Sequence, residues 1–307
     1  MGRSGLSVSR LALGTMSWGR ATSPEDAREQ LTAFVAAGGD LLDTAYGYAD
    51  GASETTIGGL LGDVVAREDV VLCTKAGISR ESGRRVVDTS RRTLMNQLDR
   101  SLARLGTDHV DLWLVHTWSE QAPLEESLSA LEWAVTSGRA RYVGVSNYSG
   151  WQTARAATLL EAVRVPLVAN ESEYSLLQRV VEDELVPAAR ALGLGLLPWS
   201  PLGRGVLTGK YRHGIPADSR ASSGDVPGFA EHYLDADSRQ VTEAVAIAAR
   251  GLGVSAAEVA LAWVRDRPGV VAPIVGARTL SQLRTALRSE DLQLPQEIVQ
   301  ALDDVSA

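Results

Sequence analysis

Eight short apolar runs, each the length of a β-strand, alternate along this chain with longer stretches whose apolar residues recur every three or four positions. The runs occupy residues 11–15, 41–44, 70–75, 110–116, 142–146, 167–170, 195–199 and 270–275. They are continuous rather than alternating, so both faces of each strand must be covered, as in parallel sheets packed beneath helices. The helical stripes are one-faced. Ser23-Pro24 reads as a helix start followed by Ala27, Leu31, Phe34 and Val35 and closed by Gly38-Gly39. Leu94, Leu98, Leu102 and Leu105 precede Gly106; Leu124, Leu128, Leu131 and Val135 precede Gly138; Val181, Leu185, Ala188 and Leu192 precede Gly193.

Right-handed crossovers close eight such units into an α/β architecture, the (β/α)8 TIM barrel. An open doubly wound sheet is the alternative. It would use a G-x-G-x-x-G turn after its first strand, and Leu13-Gly14-Thr15-Met16-Ser17-Trp18-Gly19 lacks that spacing. The 307 residues are therefore expected to form one domain, 1–307. Two stretches exceed a bare barrel: a long loop from Tyr211 to Asp237 after strand seven, rich in Gly, Pro, Ser and Asp, and a helical tail after Leu294. Loops beyond about 12–15 residues in compact domains are usually functional lids or disordered.

Charge and cysteine content limit the partners. A formal charge of −8 argues against a nucleic-acid or anionic-membrane surface, and no run reaches the roughly 18 apolar residues of a membrane span. Cys73 is the lone cysteine, which excludes an intrachain disulfide and thiolate zinc sites and fits a reducing cytoplasm. His109, His116, His213 and His232 have no metal-ligand spacing, so no metal is expected. The expected partner is a small molecule bound by a monomer.

In barrels of this kind the active site forms at the C-terminal ends of the strands. That rule nominates Asp43 and Tyr48 after strand two, Lys75 at strand three, His116 at strand four and Ser146-Asn147 at strand five. Glu171, Trp199-Ser200 and Gly276-Ala277-Arg278 follow strands six, seven and eight. Strands two, three and four are neighbours, so Asp43, Tyr48, Lys75 and His116 can meet. A tyrosine is a weak acid at pH 7, but an adjacent ammonium lowers its pKa, and Asp43 would keep Lys75 charged. His116 could donate to a substrate oxygen. Taken singly, Asp43 reads as a cap, Lys75 as a solvated strand end and His116 as a core histidine; as a set they describe polar reduction. Trp18 and Trp118 are placed to shape a substrate pocket, whereas Trp113 reads as core and Tyr46 as wall. Gly209-Lys210-Tyr211 lacks the first glycine and the hydroxyl residue of a phosphate loop.

Asp43-Thr44-Ala45-Tyr46-Gly47-Tyr48 resembles the D-T-A-x-x-Y signature of the aldo-keto reductases. Leu72-Cys73-Thr74-Lys75, Val110 to His116, Gly144-Val145-Ser146-Asn147, Trp199 to Tyr211 and Pro273 to Thr279 resemble further segments of that family in the same order. The resemblance covers nearly the whole chain. It implies a tetrad of Asp43, Tyr48, Lys75 and His116, with Tyr48 as general acid, and NADPH-dependent reduction of aldehydes or ketones. It implies cofactor contacts from Gly14, Thr15 and Met16, from Ser146 and Asn147 at the carboxamide, and from Trp199 stacked on the nicotinamide. Ser200, Pro201, Leu202, Gly203 and Gly205 would wrap the pyrophosphate, with Lys210 beside them, and Gly276, Arg278, Thr279 and Gln282 would meet the 2′-phosphate or adenine. Glu171 stands where similar sequences commonly carry Gln; as a carboxylate it accepts from a carboxamide but cannot donate to it. Ala286 replaces an asparagine often found near the adenine. A barrel glycosidase using Asp43 and Glu171, and a cofactor-sensing binding subunit, are the rival readings.

Overall fold

The computed structural model describes residues 1–80, 83–212, 214–216 and 231–307. Eight parallel strands form its main sheet: β1 (Ala12–Gly14), β2 (Leu41–Asp43), β3 (Val71–Ala76), β4 (Val110–Val115), β5 (Ala140–Ser146), β6 (Leu167–Glu173), β7 (Gly195–Trp199) and β8 (Ile274–Val275). β8 pairs with β1, and each strand then pairs with the next as far as β7. The ring closes where Leu196 of β7 bridges Val270 and accepts from the Val271 amide at 2.9 Å. This is the expected (β/α)8 barrel. The eighth apolar run begins at 270, yet only its last two residues pair as a strand, because Pro273 has no amide to donate to a ladder.

Ten helices are described. The four periodic stripes form α1 (Pro24–Ala36), α3 (Arg91–Leu105), α4 (Leu124–Thr136) and α6 (Leu185–Leu192), around α2 (Ala52–Leu60) and α5 (Gly150–Ala162). Ser23 caps α1 by accepting from the Asp26 amide, and Pro24 opens it, as the sequence indicates. Val181 falls in a short 3-10 turn ahead of α6. Two helices, α7 (Ala236–Leu252) and α8 (Ala256–Arg265), separate β7 from β8, and α9 (Leu280–Leu287) follows β8. The expected tail is α10 (Gln296–Val305), packed on α7. Of the long loop after β7, residues 213 and 217–230 lie outside the described residues; its C-terminal end is a turn, Glu231–Tyr233, and the start of α7. Among the described residues no single helix is long and apolar enough to cross a membrane.

Strand alternation decides what points where. Ala12, Leu41, Cys73, Leu112, Leu114, Ala169, Leu197 and Ile274 pack together inside the barrel, over Met1. The intervening Leu13, Leu42, Leu72, Trp113, Val115 and Leu196 face the helices in a second, outer layer. Two residues beyond the inner layer, at or near the C-terminal ends of five strands, the inward positions carry polar or aromatic side chains: Asp43, Lys75, His116, Glu171 and Trp199. The interior is too crowded at β5 for any side chain: a Cβ on Gly144 would lie 2.5 Å from Leu114 Cδ2 and 2.7 Å from the Ala169 carbonyl oxygen. Gly144→Ala is therefore expected to lower unfolding free energy by about 1–3 kcal/mol, the range for overpacked cores, checked by urea denaturation.

Candidate active site

The inner layer ends in a sealed charge cluster. Lys75 is fully buried, and its ammonium donates to both oxygens of Asp43 at 2.7 and 2.8 Å and to the Thr44 carbonyl at 3.0 Å. Register explains the meeting, since Asp43 sits opposite Cys73 and Lys75 lies two residues beyond Cys73 on the same inward face. Glu171 arrives from β6 across the interior, with Oε2 3.2 Å from the same ammonium but outside hydrogen-bond geometry. Asp43, Cys73 and Glu171 offer atoms within 4.8 Å of one another, and the cation among them is Lys75 itself.

Tyr48 and His116 stand above this cluster. The Tyr48 hydroxyl accepts from Lys75 at 3.4 Å, and the loop that carries it turns through left-handed conformations at Ala49 and Asp50. The His116 backbone donates to Ala76 at 2.8 Å, and the two rings meet edge to face with centroids 5.8 Å apart. All four expected residues are thus together.

Burial sets the protonation states. Desolvation alone would strip the Lys75 proton, but Asp43 and then Glu171 offset it and hold the lysine pKa well above its ordinary value. Desolvation likewise raises Asp43 against the pull of Lys75, and it pushes Glu171 up to about 8, helped by the nearby Asp43. Lys75 thus keeps its proton at neutral pH, and of the two carboxyls beside it Glu171 is raised to about 8. Burial, with Lys75 and Arg85, drives the His116 pKa well down, so the imidazole is neutral. Tyr48 departs from the sequence expectation. Lys75 does lower its pKa, but burial first, with Asp43 and Glu171 behind it, wins, and the phenol is raised above its ordinary value.

A cavity of about 750 Å³ opens over the strand ends. Of the residues named for cofactor contact, Gly14, Met16, Asn147, Glu171, Trp199, Ser200, Pro201, Leu202, Gly205, Lys210, Gly276, Arg278 and Gln282 line it. Four others expected at the cofactor do not. The Thr15 hydroxyl is buried and donates to the Asp43 carbonyl at 2.8 Å. Ser146 is buried beneath Asn147, whose amide donates to the serine oxygen at 2.9 Å. Gly203 is buried at positive φ against Leu177, and Thr279 caps α9 by accepting from the Gln282 amide. Both tryptophans placed at the substrate pocket are corrected too. Trp18 is fully buried in the outer layer, donating to Gln30 at 3.1 Å. Trp118 packs edge-on against Tyr148 and Trp151, with centroids 5.2 and 5.4 Å away.

The loop after β7 is held in an unusual shape. Ser200, Gly203, Arg204 and Gly205 all have positive φ, and such successive turns aim backbone amides into a common concavity. Arg204 grips both oxygens of Glu173 at 2.9 and 2.8 Å, and Tyr233 donates to the same carboxylate at 3.1 Å. The sequence reading passed over Arg20, Arg80, Arg85 and Ser255, which also line the cavity. Arg80 and Arg85 flank an antiparallel hairpin, Ile78–Ser79 with Val86–Val87, whose signal was a Ser82-Gly83 turn pair before two β-branched residues.

The Glu171 proton has a measurable consequence. Its folded pKa lies above its unfolded value, so the stability it lends is complete below the unfolded value and is lost as pH rises through about 8. In thermal melts the wild type is expected to lose more stability between about pH 6 and pH 9 than Glu171→Gln does. Parallel curves would contradict a protonated Glu171.

The Aldo/keto reductase family model matches residues 10–307. An uncharacterized oxidoreductase, YrpG, of Bacillus subtilis is 35% identical over 99% of this chain and 94% of its own length. A probable voltage-gated potassium channel subunit beta of Oryza sativa is 35% identical over all of this chain and 94% of its own length. The L-glyceraldehyde 3-phosphate reductase of Escherichia coli K12 is 34% identical over 92% of this chain and 84% of its own length. With the eight-stranded barrel, this match along nearly the whole length makes the chain a member of the aldo/keto reductase family of oxidoreductases.

Proposed function

We propose that the protein is an NADPH-dependent reductase of aldehydes or ketones, with Tyr48 as the proton donor, acting as a single-domain monomer in the cytoplasm. The observation that carries this reading is the Tyr48 hydroxyl, 3.4 Å from a fully buried ammonium, beside a neutral imidazole at a cavity floor. The lone cysteine, Cys73, is buried and free, in keeping with a reducing compartment.

The residues present fit a nicotinamide dinucleotide. Trp199 offers a ring face at the strand ends, and its Nε1 donates to Asn147 Oδ1 at 3.1 Å, which orients both side chains. The positive-φ loop from Ser200 to Gly205 offers amides to a pyrophosphate, with Lys210 alongside. When bound, the cofactor would supply the hydride that adds to the carbonyl carbon.

The chain's own residues do the rest. His116 is neutral and orients the carbonyl oxygen through a ring N–H. As hydride addition builds alkoxide character, Tyr48 transfers its hydroxyl proton to that oxygen, yielding the alcohol, and Lys75 stabilises the phenolate left behind until solvent reprotonates it. A raised pKa keeps Tyr48 fully protonated until the stronger base appears. Glu171, holding its own proton, removes a negative charge that would otherwise oppose the developing oxyanion.

Tyr48→Phe is expected to lower NADPH-linked carbonyl reduction by roughly 10²–10⁴ while leaving cofactor affinity nearly intact, measured as absorbance loss and fluorescence titration. Normal turnover would sink the mechanism, and turnover in the wild type separates an enzyme from a binding subunit. The choice of NADPH rests on Arg278, where β8 leads into α9 and its backbone amide donates to Gln282 at 2.9 Å. A guanidinium suits a 2′-phosphate. Arg278→Ala is expected to weaken NADPH binding by about 1.5–3 kcal/mol and NADH binding little. Equal losses for both cofactors would remove Arg278 from that role.

A further inference from the structure

The cavity is basic at two separate places, and the cofactor reading uses only one of them. Lys210 and Arg278 lie after β7 and β8. Arg20, Arg80 and Arg85 line the same cavity on the side of β1 and β3, next to Tyr48 and His116. The hairpin explains two of them. Ile78 pairs with Val87 and Ser79 with Val86, and Arg80 and Arg85 are the residues that adjoin this pairing on the two chains of the hairpin. Alternation then puts Ile78, Arg80 and Arg85 on one face, and all three line the cavity.

That hairpin is seated on the Tyr48 loop. The Ile78 carbonyl oxygen would be 2.8 Å from a Cβ on Gly47, the residue before Tyr48, so the loop and the hairpin can approach this closely only with glycine there. Arg85 is near enough to His116 to help depress its pKa. Arg20 comes from the β1–α1 loop and is exposed at the mouth.

Like charges that adjoin across a hairpin repel. Among the described residues, no carboxylate forms an ion pair with Arg20, Arg80 or Arg85, while thirteen other arginines are so paired. The acidic residues that line the cavity, again among those described, are Asp43 and Glu171, buried at its floor and turned to Lys75. In a chain with a formal charge of −8, this concentration of guanidinium groups beside the proposed proton donor, with no carboxylate partner among the described residues, is a local reversal of sign.

We infer that Arg20, Arg80 and Arg85 form an anion subsite, and that the substrates are aldehydes carrying a phosphate or carboxylate group a short chain away from the carbonyl. The inference rests on the reductase reading above. Guanidinium forks match both anions with paired hydrogen bonds, and a cleft open to water at the arginines and closed at Tyr48 orders the two ends of such a molecule.

The test compares kcat/KM of the NADPH-loaded enzyme for glyceraldehyde 3-phosphate against glyceraldehyde, and for succinic semialdehyde against butanal. The wild type is expected to favour the charged member of at least one pair by on the order of 10-fold or more, with the phosphate and carboxylate pairs telling which anion is preferred. In the double variant Arg80→Gln, Arg85→Gln that ratio is expected to collapse through KM, with the neutral aldehyde losing far less. Equal values for charged and neutral aldehydes, or a ratio unmoved by the double variant, would overturn the subsite and leave the reductase reading standing. If none of the four aldehydes oxidises NADPH, the reductase reading falls, and inorganic phosphate titrated calorimetrically into cofactor-loaded wild type and double variant decides the subsite. Heat lost in the variant upholds it; equal heats overturn it.

Discussion

The placement of Lys75 governs the chemistry of this barrel. An ammonium with no solvent contact is unfavourable unless oxygen atoms replace its hydration, and here Asp43 supplies two and the Thr44 carbonyl a third. That arrangement needs β2 and β3 in register, and burial against Asp43 raises the Glu171 pKa to about 8. The raised phenol of Tyr48 and the neutral ring of His116 follow from the same sealed environment.

The barrel delivers this cluster through parity. Inward positions on successive strands run from apolar residues at the floor to functional residues at the rim, as in Leu41 then Asp43, Leu114 then His116, and Leu197 then Trp199. A one-residue register slip would turn Asp43 toward the helices and bring Leu42 inside. The outer layer of Leu13, Leu42, Leu72 and Trp113 opposes such a slip, because every one of those side chains would lose its helix contacts together. Packing beneath the helices thus protects the chemistry above the sheet.

The same parity explains what could be read from sequence. Continuous apolar runs exposed the strands, and positions at or just beyond their C-terminal ends named Asp43, Lys75, His116 and Glu171, since strand ends in a barrel have few places to go. Direction beyond a strand end was not legible. Trp18 lies only four residues past Gly14 in sequence, yet the chain folds back so that its ring reaches Gln30 of α1 rather than the cavity. Ser146 and Asn147 are adjacent, but the left-handed Asn147 backbone leaves only the asparagine facing outward. The hairpin bearing Arg80 and Arg85 was missed because two-residue strands carry too little periodicity to stand out. The Tyr48 pKa went the other way from the expectation because burial, which outweighs the Lys75 charge, is a property of three-dimensional packing.

The clasp between Arg204, Glu173 and Tyr233 bears on how a dinucleotide would be received. The positive-φ residues of the loop from Ser200 to Gly205 are anchored by two hydrogen bonds from Arg204 and one from Tyr233. The conformational entropy of shaping that concavity is thus settled during folding instead of at the moment of association. A visiting pyrophosphate would meet a preorganised surface, and its affinity would be relieved of the ordering penalty that a floppy phosphate loop imposes. Because Glu173 lies at the end of a barrel strand while Tyr233 precedes α7, the rigidity of that surface is borrowed from two parts of the fold 60 residues apart in sequence.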